Sequence, residues 1–95
     1  MYDIIINFKC FPGKRESFVE RVKAEGILAD IHAEDGCIRY DYYYSAANAD
    51  ELLLIEAWKT KNHQQVHLTQ PHMDRLRGFK DDYISETEFF EIEYK

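Results

Sequence analysis

Apolar residues along this chain recur with two different periods, and the switches between them divide it into elements. Met1–Cys10 (MYDIIINFKC) is rich in β-branched and aromatic residues and reads as a strand that breaks at Phe11-Pro12-Gly13. From Lys14 to about His32, Phe18, Val19, Val22, Ile27, Leu28 and Ile31 recur at near-helical spacing with charge opposite, so one helix is expected, weakened at Gly26. Glu34-Asp35-Gly36 signals a turn into a second strand, Cys37–Ser45, and Ala46–Asp50 is small and polar enough for a hairpin loop. A third strand is expected over Glu51–Thr60 and a short helix over Lys61–Thr69. Pro71 opens another helical turn or two ending near Gly78, and a last strand runs from about Ser85 to Tyr94. The order β-α-β-β-α-β predicts an α+β, ferredoxin-like two-layer sandwich in one domain over residues 1–95.

Helices on one side of such a sheet leave the other side polar in a monomer. Here both sides are apolar. Ile4, Ile6 and Phe8 oppose Ile5; Leu52 and Leu54 oppose Leu53, Ile55 and Ala57; Phe89 opposes Phe90, Ile92 and Tyr94. Large exposed apolar patches are rare on monomers, so a homodimer is expected, with roughly 800 Å² covered per partner.

Composition supports this. Six Phe, seven Tyr and one Trp in 95 residues is more aromatic mass than one small core needs. The formal charge of −6, with basic residues scattered among acidic ones, disfavours nucleic acid and anionic membrane as partners. The first ten residues lack an export signal, and Cys10 and Cys37 form no CxxC pair. A cytoplasmic protein with free thiols is expected.

Candidate chemistry concentrates late in the chain. His63, His67 and His72, three of the four histidines, fall within ten residues, just after Glu56 and Trp58 at a strand end. Imidazole is the side chain that exchanges protons near neutrality. His63 and His67 lie four apart, as zinc ligands on a helix do, with His72 or Glu56 as a third donor. The metalloprotease form of that spacing has Glu after the first His, whereas Gln64 stands here, and no metal is expected. His63, among polar neighbours, reads as solvated.

The segment Glu56-Ala57-Trp58 through His67-Leu68-Thr69-Gln70-Pro71-His72 resembles the signature of the antibiotic biosynthesis monooxygenase family. So do Pro12-Gly13-Lys14 and the turn Glu34-Asp35-Gly36-Cys37-Ile38-Arg39-Tyr40, similar to that family's E-x-G-C-x-x-Y. The resemblance spans nearly the whole chain. It implies a dimeric α+β barrel with a small-molecule pocket in each protomer. Its branches include quinol monooxygenases, anthrone oxygenases, haem-degrading enzymes and autoinducer-processing isomerases; the His67–His72 run sits closest to the quinol and autoinducer branches. Asn7 and Trp58 suit two of the three residue roles of the haem branch, while His67 and His72 do not match its histidine.

The expected activity is therefore a cofactor-independent oxidation of a quinol or related phenol by dioxygen. Alternatives are isomerisation of a small hydroxy-ketone, or simple binding of a small ligand or haem. Lowering a phenol pKa from about 10 toward neutrality costs about 4 kcal/mol, and two hydrogen bonds at about 1.5–3 kcal/mol each nearly supply it. The expected catalytic residues are His67 and His72 as proton acceptors, with Trp58 and Asn7 as neutral donors. Glu56 and Tyr40 would bind substrate. All but His67 also have a purely structural use: Trp58 and Tyr40 as packed aromatics, Asn7 as an edge contact, His72 as a helix cap, and Glu56 as an ion-pair member.

Overall fold

The computed structural model describes residues 1–92. Four strands form one antiparallel sheet in the order β2-β3-β1-β4, from β1 (Tyr2–Cys10), β2 (Cys37–Tyr44), β3 (Glu51–Trp58) and β4 (Ile84–Ile92). This is the ferredoxin-like α+β arrangement. Each crossover is two helices: α1 (Arg15–Ala24) with α2 (Ile27–His32), and α3 (Lys61–His67) with α4 (Pro71–Lys80). The single helix expected over 14–32 is thus corrected to two. Gly26 adopts φ +74°, a left-handed conformation that ends α1, and its carbonyl accepts from Asp30 N–H to start α2. Tyr94, expected in the last strand, lies outside the described residues.

Register decides what the helices cover. Ile4 pairs with Glu56, Ile6 with Leu54 and Phe8 with Leu52, while on the other edge Tyr40 pairs with Glu56 and Tyr42 with Leu54. With a side-chain period of two, these residues share one face, and α1, α2 and α4 lay Phe18, Val22, Ile27, Ile31, Met73, Leu76 and Phe79 on it. Phe18 is the hub, its ring 5.8–6.3 Å from those of Phe8, Tyr42, Phe79 and Tyr83. The two thiols sit on β1 and β2, both free, and burial pushes Cys37 up to about 11, so it is a packing group rather than a nucleophile.

The opposite face carries Asp3, Ile5, Asn7, Leu53, Ile55, Ala57 and Phe90, and none of the four helices packs on it. Phe90 is 52% exposed. No helix among the described residues is long and apolar enough to cross a membrane.

Candidate active site

The turn before β2 sets the site. Gly36 has φ +80°, and a Cβ there would lie 2.3 Å from the His63 ring, so only glycine lets this turn press against α3. The Thr60 hydroxyl caps α3 by accepting from His63 N–H at 3.3 Å, and bonds His63 Nδ1 at 2.7 Å. His63 Nε2 lies 3.4 Å from Asp35. Far from being a solvated residue, His63 is a wedge between α3 and the turn.

That close approach delivers Glu34 to two histidines. Its Oε2 accepts from His67 Nδ1 and from His72 Nε2, each at 2.8 Å. Pro71 at the first position of α4 starts the helix immediately before His72 and so fixes where that imidazole falls. An ionised carboxylate only accepts, so Nδ1 of His67 carries the hydrogen. Nε2 is left with its lone pair and has no hydrogen bond among the described residues. Burial depresses the His67 pKa below the ordinary imidazole value and so favours the neutral ring, while Glu34 pulls the other way. A buried imidazole, tautomer fixed by a carboxylate, with its free nitrogen in a cavity, is the arrangement of a general base.

The cavity lies between the covered face of the sheet and α3/α4 and measures about 280 Å³. His67, Tyr40 and Glu56 line it, the His67 ring packing 4.7 Å from Trp58 and 5.6 Å from Tyr40. Glu56 is 3% exposed and accepts from Trp58 Nε1 at 3.0 Å. Burial raises its pKa to about 7, the Trp58 bond opposing and the Glu34 charge adding. Near neutrality it divides between acid and carboxylate.

Of the six expected site residues, His67, Glu56 and Tyr40 line the cavity, Trp58 packs on His67 behind that wall, and His72 reaches it only through Glu34, so its expected part as a proton acceptor is corrected to one of support. Two further expectations are corrected. Asn7 points to the uncovered face, where its amide donates to Glu88 at 3.3 Å, because it alternates with Ile6 and Phe8. It cannot join Trp58 on one ligand, which removes the residue pair on which the haem reading rested. The Trp58 N–H is engaged by Glu56, so it orients that carboxyl instead of facing a substrate oxygen.

Glu34 was missed by the sequence reading, although the E-x-G-C-x-x-Y motif begins on it. Glu34, His67 and His72 also bring one ligand atom each within 4.8 Å of one another. Two imidazoles and a carboxylate are a donor set that first-row cations accept; His63, four residues before His67, is outside this set and held on the turn.

The sequence model described as antibiotic biosynthesis monooxygenase matches residues 1–78. The chain belongs to that family. No curated protein sequence matches it. Among solved structures, a conserved Methanosarcina mazei protein superposes with a TM-score of 0.88 at 22% identity, over 99% of this chain and 92% of that one. A Nitrosomonas europaea protein described as a candidate antibiotic biosynthesis monooxygenase gives 0.86 at 24%, over 99% and 98%. A Mycobacterium tuberculosis protein, Rv0793, gives 0.84 at 24%, over 99% and 94%. At these identities the likeness is one of fold.

Proposed function

We propose that this family member is a cofactor-independent monooxygenase that oxidises a quinol or related phenol with dioxygen. The observation carrying it is the Glu34–His67 pair, which aims an unprotonated Nε2 into an aromatic-walled cavity beside Glu56. His67 Nε2 takes the phenolic proton, and the phenolate passes one electron to dioxygen. The resulting superoxide and phenoxyl radical combine at the adjacent ring carbon, forming a C–O bond and, with a proton returned from the site, a hydroperoxide. The ring carbon loses its hydrogen as a proton and the O–O bond breaks heterolytically, the outer oxygen taking a proton and leaving as water. Quinol plus dioxygen thus gives hydroxyquinone plus one water. Glu56, titrating near 7, is suited to supply the proton that makes the departing oxygen a good leaving group.

An oxygen electrode with a hydroquinone panel tests this. One dioxygen consumed per quinol, with no oxygen returned on adding catalase, is expected. Stoichiometric peroxide, or uptake no faster than without protein, overturns it. A second reading, proton shuttling next to a hydroxy-ketone carbonyl, is favoured by the same pairing of His67 with Glu56. Solvent deuterium entering the carbon skeleton without oxygen uptake would select it.

The proposal includes a homodimer formed through the uncovered sheet face. Beyond its apolar residues, that face holds Asp3, 6% exposed, whose Oδ2 has no hydrogen-bond partner among the described residues. A buried carboxylate oxygen calls for a donor, which a second copy brings. The proposal also keeps to a single domain and a cytoplasmic setting.

A further inference from the structure

The catalytic groups occupy only one end of the cavity. At the other, Lys80 near the end of α4 lines the same space, its Nζ 5.3 Å from the Phe8 ring centroid. It is half-buried, and among the described residues no carboxylate lies within ion-pairing distance of its ammonium. Lys14, Lys59 and Lys61 also lack an ion-pair partner among the described residues, but they are exposed; Lys80 is the half-buried one. Lys9 and Lys23 are paired, and so is Arg77 on the same rim, which bonds Asp74 at 2.8 Å and the Leu68 carbonyl. Burial depresses the Lys80 pKa, Arg77 adds to that, and Asp81 opposes it. A half-buried ammonium against an aromatic ring, facing a cavity and lacking a counter-ion, is uncompensated until something anionic enters.

The register gives the spacing. Glu56 stands opposite Ile4, and Lys80 lies over Phe8, four residues along β1. At about 3.3 Å per residue the two ends are roughly 13 Å apart at the backbone. Between them the walls are mostly apolar, with Ile6, Phe18, Leu54 and Leu76, and Tyr42 and Thr87 add hydroxyls.

We propose that the cavity selects a phenol or quinol carrying a carboxylate on an alkyl tail of several carbons, with the ring at His67 and Glu56 and the carboxylate on Lys80. The identity of the reacting end rests on the oxidation proposed above; the anionic subsite does not.

Two probes separate them: 5-(2,5-dihydroxyphenyl)pentanoate and its methyl ester. Trp58, the only tryptophan, reports binding by fluorescence under anaerobic conditions. The acid should bind at least about ten-fold more tightly than the ester. Lys80→Met should abolish that difference while leaving the ester unchanged, and Lys80→Arg should restore much of it. 2,5-Dihydroxybenzoate, with its carboxylate on the ring, cannot span the cavity and should show no dependence on Lys80. Equal binding of acid and ester to the wild-type protein, or an acid preference that survives in Lys80→Met, would overturn the subsite. Lys80-dependent binding without oxygen uptake would uphold the subsite and remove the oxidation. Uptake with neutral quinols, equally fast in wild type and Lys80→Met and no faster with the acid, would uphold the oxidation and remove the subsite.

Discussion

The two faces of this sheet solve the same problem differently. Under the helices, the principal buried polar groups are paired: Trp58 with Glu56, and His67 and His72 with Glu34. On the uncovered face, Asp3 is as deeply buried as the residues of the core yet keeps an oxygen without a partner among the described residues. A buried polar group left unpaired costs about 1–3 kcal/mol; the Glu34 and Glu56 carboxylates of the covered face find donors within one chain, whereas Asp3 Oδ2 on the other face finds none among the described residues. Chemistry belongs where pairing is complete enough to hold a base in one tautomer. Association belongs where it is incomplete.

The sharpest way to break this division is through the covered face. His67→Ala removes the proposed proton acceptor and should lower turnover by about 10²–10⁴-fold while the proposed dimer persists in sedimentation. Turnover near that of the wild type would exclude His67 from the reaction. Glu34→Gln keeps the shape but allows the His67 ring to flip or change tautomer. A loss of up to about 10⁴-fold in kcat with little change in KM is expected, the scale seen when a carboxylate that fixes a catalytic imidazole's tautomer is replaced by its amide.

The uncovered face comes next. Leu53→Asp places an unpaired charge at the centre of the proposed interface and should convert dimer to monomer at micromolar concentration. A wild-type chain that sediments as a monomer at every concentration would remove the need for a partner and leave Asp3 unexplained.

How much of this could be read in the sequence follows from what sequence patterns record. Periodicity reports which face a residue takes along its own element, so the strand order of events, the two-sided sheet and the shared face of Glu56 and Trp58 were all legible. Asn7 goes against that same rule: its alternation with Ile6 and Phe8 puts it on the face opposite Trp58, although the family resemblance pairs the two residues. Glu34 was hidden for a different reason. Its partners lie 33 and 38 residues away, and the contact depends on a turn whose tightness comes from Gly36 meeting the His63 ring. Nothing local encodes that meeting. Lys80 was likewise invisible, because an unpaired lysine is defined by which carboxylates fail to reach it.

Glu56 offers a smaller, thermodynamic test of the covered face. Its pKa is raised by burial from an ordinary carboxyl value to about 7, so the folded protein holds this proton where the unfolded chain has released it. Its contribution is therefore fully present below about pH 4.5 and lost as pH rises through 7, up to about 3 kcal/mol at about 1.36 per pH unit. Glu56→Gln keeps an acceptor for Trp58 Nε1 without the titration. Urea midpoints between pH 5 and 8 should fall with pH in the wild type and fall less in the variant. Parallel curves would mean that Glu56 is hydrated and not perturbed.

The least expected effect is the one that most directly separates the faces. Asn7 was predicted to be catalytic, and it lies on the uncovered face with one exposed hydrogen bond to Glu88 at 3.3 Å. Such a bond contributes at most about 0.5–1.5 kcal/mol, and none of it acts in the cavity. Asn7→Ala should leave kcat/KM within about two-fold of wild type at enzyme concentrations where the dimer is intact, since two-fold corresponds to about 0.4 kcal/mol. The useful control is concentration. If activity falls only on dilution, Asn7 acts through association, as its face requires. If it falls by orders of magnitude in the intact dimer, the uncovered face takes part in the chemistry, and the division between a catalytic face and an associating face fails.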